Sequence, residues 1–195
     1  MASPDLITPL PRARGFTDHA LLGMAVFILT EVMLFAGFIS AFVITRNSAG
    51  PGAWPPADQP RLPFERTALN TAALLLSGLL VGLAQRALQR EGPRAARVPL
   101  TAGLALGALF VGLQGVEWTA LLRQGLTLTS SQVGGFFYLV IGCHALHAVV
   151  ALSLLGWCWV SLVTGHFVRS RFGAAQLLWY FVVLVWPTLW LVVYR

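Results

Sequence analysis

Five apolar runs, at residues 21–45, 68–88, 98–122, 133–163 and 174–194, each reach or exceed the roughly 20 residues an α-helix needs to cross a bilayer core. Few folds are open to such a chain, because in lipid every backbone N–H and C=O must find its partner inside the protein. The sequence is therefore predicted to form an all-α, integral membrane bundle of five transmembrane helices. Its composition agrees: 57% of the 195 residues are hydrophobic and 10% are charged, with a mean hydropathy of +0.75, far above a soluble domain. Residues 1–19 hold three prolines, two arginines and two aspartates without an amphipathic period, and read as an irregular cytoplasmic amino-terminal arm. Residues 20–195 read as a single five-helix membrane domain, since the longest polar connection, 46–67, is a Pro- and Gly-rich loop of about 20 residues.

All 13 basic residues are arginines, and the formal charge is +6. They flank helix ends rather than forming one patch, which argues against a nucleic-acid partner and makes them a topology signal. Arg12, Arg14, Arg86, Arg90, Arg94, Arg97, Arg169 and Arg171 fall on one side, and Arg46, Arg61, Arg66, Arg123 and Arg195 on the other. Eight against five places the amino terminus inside and the carboxyl terminus outside. The first run is about 25 residues long, contains an acid and lacks a small-residue cleavage site, so it is expected to stay as an anchor. The absence of Lys suggests a GC-rich bacterial genome, hence a bacterial cytoplasmic membrane. Cys143 and Cys158 share one run, about 22 Å apart along a helix, and cannot pair.

Small residues recur four apart at Gly37 and Ala41, Gly78 and Gly82, and Gly103 and Gly107, with Gly135, Gly142 and Ala145 in the fourth run. Such spacing lets helix backbones approach closely in lipid, where packing rather than expelled water drives association. Several of the seven tryptophans lie near run ends, as interfacial belts require, but Trp186 falls too deep for that role.

The stretch FILTEVMLFAGF, residues 27–38, sets one carboxylate, Glu31, in an apolar run. It lies about ten residues from the run's start, or about 15 Å deep, at the midplane of a core about 30 Å thick. An acid there costs about 3 kcal/mol on insertion scales, so it should face the protein and have a partner. It either bridges two helices as a neutral acid or exchanges protons; the sequence leaves both open. The fourth run supplies candidates in GCHALHAVV, where His144 and His147 stand three apart on one helical face at matching depth. One of them, His147 in preference, is expected to bond Glu31 across a helix interface. Two histidines three apart on one helix cannot clamp opposite faces of a haem iron, and Glu31, His144 and His147 give a metal at most three ligands. Nearer the membrane surface, Glu117 and Gln114 in LQGVEW form a secondary polar group, with Glu117 read either as a solvated or loop-bonded helix end or as functional. Asn70 and Thr71, opening the second run, are expected to cap it.

Taken together, GMAVFILTEVMLFAGFISAF (23–42), WPP (54–56), LNTAALLLSG (69–78), LQGVEW (113–118), GGFFYLVIGCHALH (134–147) and WYFVVLVW (179–186) resemble, in order, the cytochrome c oxidase subunit III family of haem-copper terminal oxidases. The resemblance covers most of the chain from residue 21 onward. It implies a short form: family members commonly have seven helices in a V, with the first two separated from the other five by a cleft that holds phospholipid, and this chain resembles the last five. Either a partner supplies the missing pair or the complex lacks it. Carried over, Glu31 looks like the family's buried glutamate in TEV, and His144 and His147 like its paired histidines. The implied role is accessory and non-catalytic. The chain would hold no redox centre and be part of an enzyme only within the complex, with haem and copper in partner subunits, chiefly subunit I, alongside subunit II. It would support proton uptake and turnover stability of the catalytic subunit. The last run departs from the family pattern, with Tyr180 and Val183 where a His and an Asp usually stand.

Two other readings accompany this one. An accessory subunit of a nitric oxide reductase would keep related helices, and the altered last run fits it. A small proton-coupled transporter would use Glu31 and a histidine as a relay, but no inverted repeat is visible and only the last run is interrupted by a proline, Pro187. A catalytic membrane enzyme of its own lacks a nucleophile-and-base set.

Overall fold

A computed structural model describes residues 15–48 and 64–193; the expected arm up to residue 14, the WPP-bearing loop at 49–63 and Arg195 lie outside the described residues. Within it the all-α expectation holds. Five helices run as α1 (Gly15–Ser48), α2 (Phe64–Arg90), α3 (Pro93–Arg123), α4 (Gln132–Thr164) and α5 (Arg169–Val193), and all five are long and apolar enough to cross a membrane. This is a multi-pass membrane protein. Leu69, Val98, Leu184 and Met33 are each at least 70% exposed, a surface that water would not tolerate but acyl chains solvate.

Local chemistry sets the connections. Gly92 at φ 95° turns the chain between α2 and α3, and Pro93 starts α3 where its missing N–H is not needed. The link is two residues long, so α2 and α3 are antiparallel neighbours. Ser131 caps α4 by accepting the Gly134 N–H at 3.0 Å, and Gly165 at φ 83° ends it.

Three sequence expectations change. First, α1 begins at Gly15, inside the stretch read as an irregular arm. Second, α2 begins at Phe64, so Asn70 and Thr71 lie inside the helix and cap nothing; Asn70 bonds across to α3 instead. Third, α5 runs through Pro187 to Val193. The ring removes the hydrogen bond to the Val183 carbonyl, but Trp186 and Leu189 on either side are fully buried and hold the helix together.

The bundle is organised around α5, which packs on α1, α2 and α4. Its Trp179, Val182, Trp186 and Leu189 are all fully buried. On the other axis, α2 and α3 meet most closely at Gly103: a Cβ there would lie 3.1 Å from Val81 and 3.3 Å from the Ser77 carbonyl, and Ser77 Oγ donates to the Gly103 carbonyl at 2.7 Å. Gly107 gives way to Trp179 and Leu152 in the same manner. Gly37, by contrast, has nothing within 4 Å of where a Cβ would stand, so the expected Gly37–Ala41 contact stripe does not bring a neighbour to Gly37. α1 is the loosely held helix and, among the described residues, packs on α5 and α4.

Candidate functional site

Helical spacing of four builds one wall of the site. Phe27, Glu31 and Phe35 follow one another on a single face of α1, and that face meets α4. From α4, His147 brings Nε2 to 3.1 Å from Glu31 Oε2, with the oxygen set off the imidazole's N–H direction. Both side chains are nearly enclosed, at 13% and 14% exposure. Three phenylalanines surround the pair: the His147 ring lies 6.3 Å from Phe27, 5.7 Å from Phe35 and 5.9 Å from Phe181 of α5. The enclosure is apolar, so the acid and the imidazole have each other and little else.

Hydrogen-bond chemistry fixes what they share. His147 Nδ1 stands 2.7 Å from the Cys143 carbonyl, one turn back in α4. A carbonyl only accepts, so Nδ1 carries a hydrogen. In a neutral imidazole Nε2 then holds a lone pair, and it faces a carboxyl oxygen. A proton added to either group would give a neutral acid against a neutral imidazole or a carboxylate against an imidazolium.

His144, three residues earlier, does not join this contact. It is buried to 1% exposure, packed against Trp186 at 5.2 Å and edge-on to Phe35 at 6.2 Å. Neither ring nitrogen meets a hydrogen-bond partner among the described residues. The two histidines thus share a face but not a function: one meets the acid, the other fills the core behind it.

The secondary polar residues come together as one network between α2 and α3. Glu117 Oε2 accepts from Thr67 Oγ1 at 3.1 Å and from Gln114 Nε2 at 3.2 Å. Asn70 Nδ2 donates to Gln114 Oε1 and to the Phe110 carbonyl, each at 3.3 Å. Glu117 is therefore bonded across the α2–α3 interface. Spacing of three on both helices, Thr67 with Asn70 and Gln114 with Glu117, sets the four groups face to face. A link to the first cluster runs through Thr71 and Trp186, in roles the sequence did not indicate. Thr71 Oγ1 donates to the Thr67 carbonyl at 2.7 Å and accepts from Trp186 Nε1 at 2.9 Å, and the Trp186 ring is the one against His144. The phenylalanines at 27 and 35 were legible as four-residue neighbours of Glu31; Phe181 and Thr67 come from other helices and left no local signal, and Trp186 was marked only by its depth. Among the described residues no three of His, Cys, Asp and Glu converge as a metal would require.

Known proteins were compared against this geometry. The family model described as cytochrome c oxidase subunit III matches residues 14–195. Relatives named cytochrome c oxidase subunit 3 include those of Scyliorhinus canicula, 35% identical over 179 residues, and Ornithorhynchus anatinus, 33% identical over 179 residues. That of Oncorhynchus mykiss is 36% identical over 180 residues. Each alignment covers 88% of this chain and 67% of the relative. With the family model matching all but the first 13 residues and relatives above 30% identity covering most of its length, the chain belongs to the cytochrome c oxidase subunit III family.

Proposed function

We propose that this chain is the accessory, non-catalytic subunit III of a haem-copper cytochrome c oxidase in a bacterial cytoplasmic membrane, bound to subunit I with subunit II in the same complex. The observation that carries the reading is the family match from residue 14 to the carboxyl terminus; it favours the oxidase over a nitric oxide reductase accessory subunit or a free-standing transporter. Haem and copper belong to the partner subunits, and aerobic electron transport is a property of the whole complex. The contribution of this chain is proton supply and turnover stability. Its physical basis is the Glu31–His147 pair, which can hold one exchangeable proton in an apolar enclosure, with His144 packed behind it. A store of this kind is useful only beside a partner that consumes protons.

Purification from native membranes, with a haem spectrum and peptide identification of co-purifying chains, tests the reading. The expected preparation is pigmented and contains oxidase subunits I and II. A colourless preparation in which this chain stands alone and transports protons would overturn it.

A further inference from the structure

Between α2 and α5 lies a groove of about 500 Å³. Arg86, Gln85, Gln176 and Tyr180 line its polar end, and Leu75, Leu79, Val183 and Leu184 its apolar end. The two helices are antiparallel, so Arg86, four residues before the end of α2, and Gln176, seven after the start of α5, lie near the same membrane surface. From Arg86 to Leu75 is eleven residues, about 16 Å of helix, which is about half of a 30 Å hydrocarbon core. The groove thus reaches through one leaflet, cationic and hydrogen-bonding at the surface and aliphatic at depth. Glycines open it. A Cβ at Gly82 would lie 2.6 Å from the Tyr180 hydroxyl, and one at Gly78 3.0 Å from Val183 Cγ1, so larger residues at either place would displace the α5 side chains that form the floor.

We propose that this groove binds one anionic glycerophospholipid, with its phosphate on Arg86, its ester groups against Tyr180, and an acyl chain along Leu79, Leu75 and Val183. Three observations support this occupant over a helix of a partner subunit. Arg86 is exposed and makes no ion pair among the described residues, where the contact between Glu31 and His147 is the one acid–base pair. Gln176 Nε2 donates to the Tyr180 oxygen at 2.9 Å, which leaves the hydroxyl's own hydrogen to donate to a further acceptor, such as an ester or phosphate oxygen. A transmembrane helix satisfies its own backbone and offers neither the anion nor the acceptor. The groove also gives a physical sense to the two departures in the last helix. Where the family pattern has a His and an Asp, Tyr180 supplies a neutral donor and Val183 an apolar floor; a carboxylate at 183 would repel an anionic headgroup and interrupt the acyl path. All the residues that line the groove belong to α2 and α5.

The test uses the chain in its native complex, reconstituted in nanodiscs. The probes are phosphatidylglycerol and phosphatidylcholine, each carrying a photoactivatable diazirine on one acyl chain. Phosphatidylglycerol is expected to label peptides containing Leu79 and Leu184, about fivefold more than phosphatidylcholine, and Arg86→Gln should lower that labelling by about fivefold. Leu79→Trp, at a position 59% exposed where folding is not at stake, should fill the groove and abolish labelling there. Equal labelling by the two lipids, labelling indifferent to Arg86→Gln, or an unlabelled groove with Leu79→Cys cross-linking to a partner chain would each overturn the proposal. The readout is labelling, so it stands or fails separately from the oxidase assignment.

Discussion

At Glu31 the solvent decides what the side chain can be. A lone carboxyl at mid-bilayer costs about 3 kcal/mol on insertion scales, and His147 at 3.1 Å is the one ionisable group in contact with it. If the pair shares a proton, removing either partner harms the other. A double-mutant cycle of Glu31→Gln and His147→Phe, read as detergent-unfolding stability of the complex, should give a coupling of about 1 kcal/mol. A coupling of zero would mean that proximity alone joins them. Function should respond differently from stability. Glu31→Ala is expected to leave assembly largely intact, because among the described residues the carboxyl approaches His147 alone, yet to hasten the loss of oxidase activity during turnover. Activity followed over many turnovers checks this, and an unchanged decay would make the glutamate structural or idle. The partnership itself was legible in the sequence, because depth along an apolar run is a one-dimensional quantity. Which histidine would take the contact depends on how α4 is rotated, and a spacing of three cannot report that.

Elements in lipid are specified by close approach rather than by an apolar stripe, and the glycines divide accordingly. A Cβ at Gly107 would lie 2.8 Å from Trp179 and 2.9 Å from Leu152, and Trp179 is fully buried with no room to retreat. Five residues on, Gly112 has nothing within 4 Å. Gly107→Ala is therefore expected to destabilise the packing of α3 on α4 and α5 by about 1–3 kcal/mol. Gly112→Ala should be neutral or stabilising by up to about 1 kcal/mol through helix propensity. Thermal unfolding of the two variants side by side measures the difference, and equal effects would mean that backbone approach is not what holds α3. The same contrast explains what the sequence could and could not tell at this scale. All five spans were readable from apolar length. Their ends were not: α1 starts early at Gly15 and α2 at Phe64, because polar residues extend a helix into the interface without any apolar signal. Small-residue spacing marked Gly78, Gly82, Gly103 and Gly107 correctly and Gly37 incorrectly, since a helix apolar on every side does not reveal which side a neighbour takes.

For the whole molecule, the arrangement in the membrane follows from parity and charge. Five spans put the termini on opposite sides, and eight arginines against five support the proposal that the amino terminus lies inside. The chain order then carries the chemistry with it. α2 and α4 both descend toward the arginine-rich side, so Arg86 and the end of α4 share a surface, and there Arg97 Nη2 donates to the Leu162 carbonyl at 3.4 Å. Glu117 and its partners lie at the opposite end of α2 and α3, and the Glu31–His147 pair lies between. Which side of the membrane the arginine-rich surface faces is set by orientation, which makes orientation the sharpest test at this scale. A fluorescent protein that matures only in the cytoplasm should glow when fused to the amino terminus. A phosphatase active only outside should work when fused to the carboxyl terminus. The reverse pair of signals would turn the bundle over and assign the α2–α5 groove to the outer leaflet.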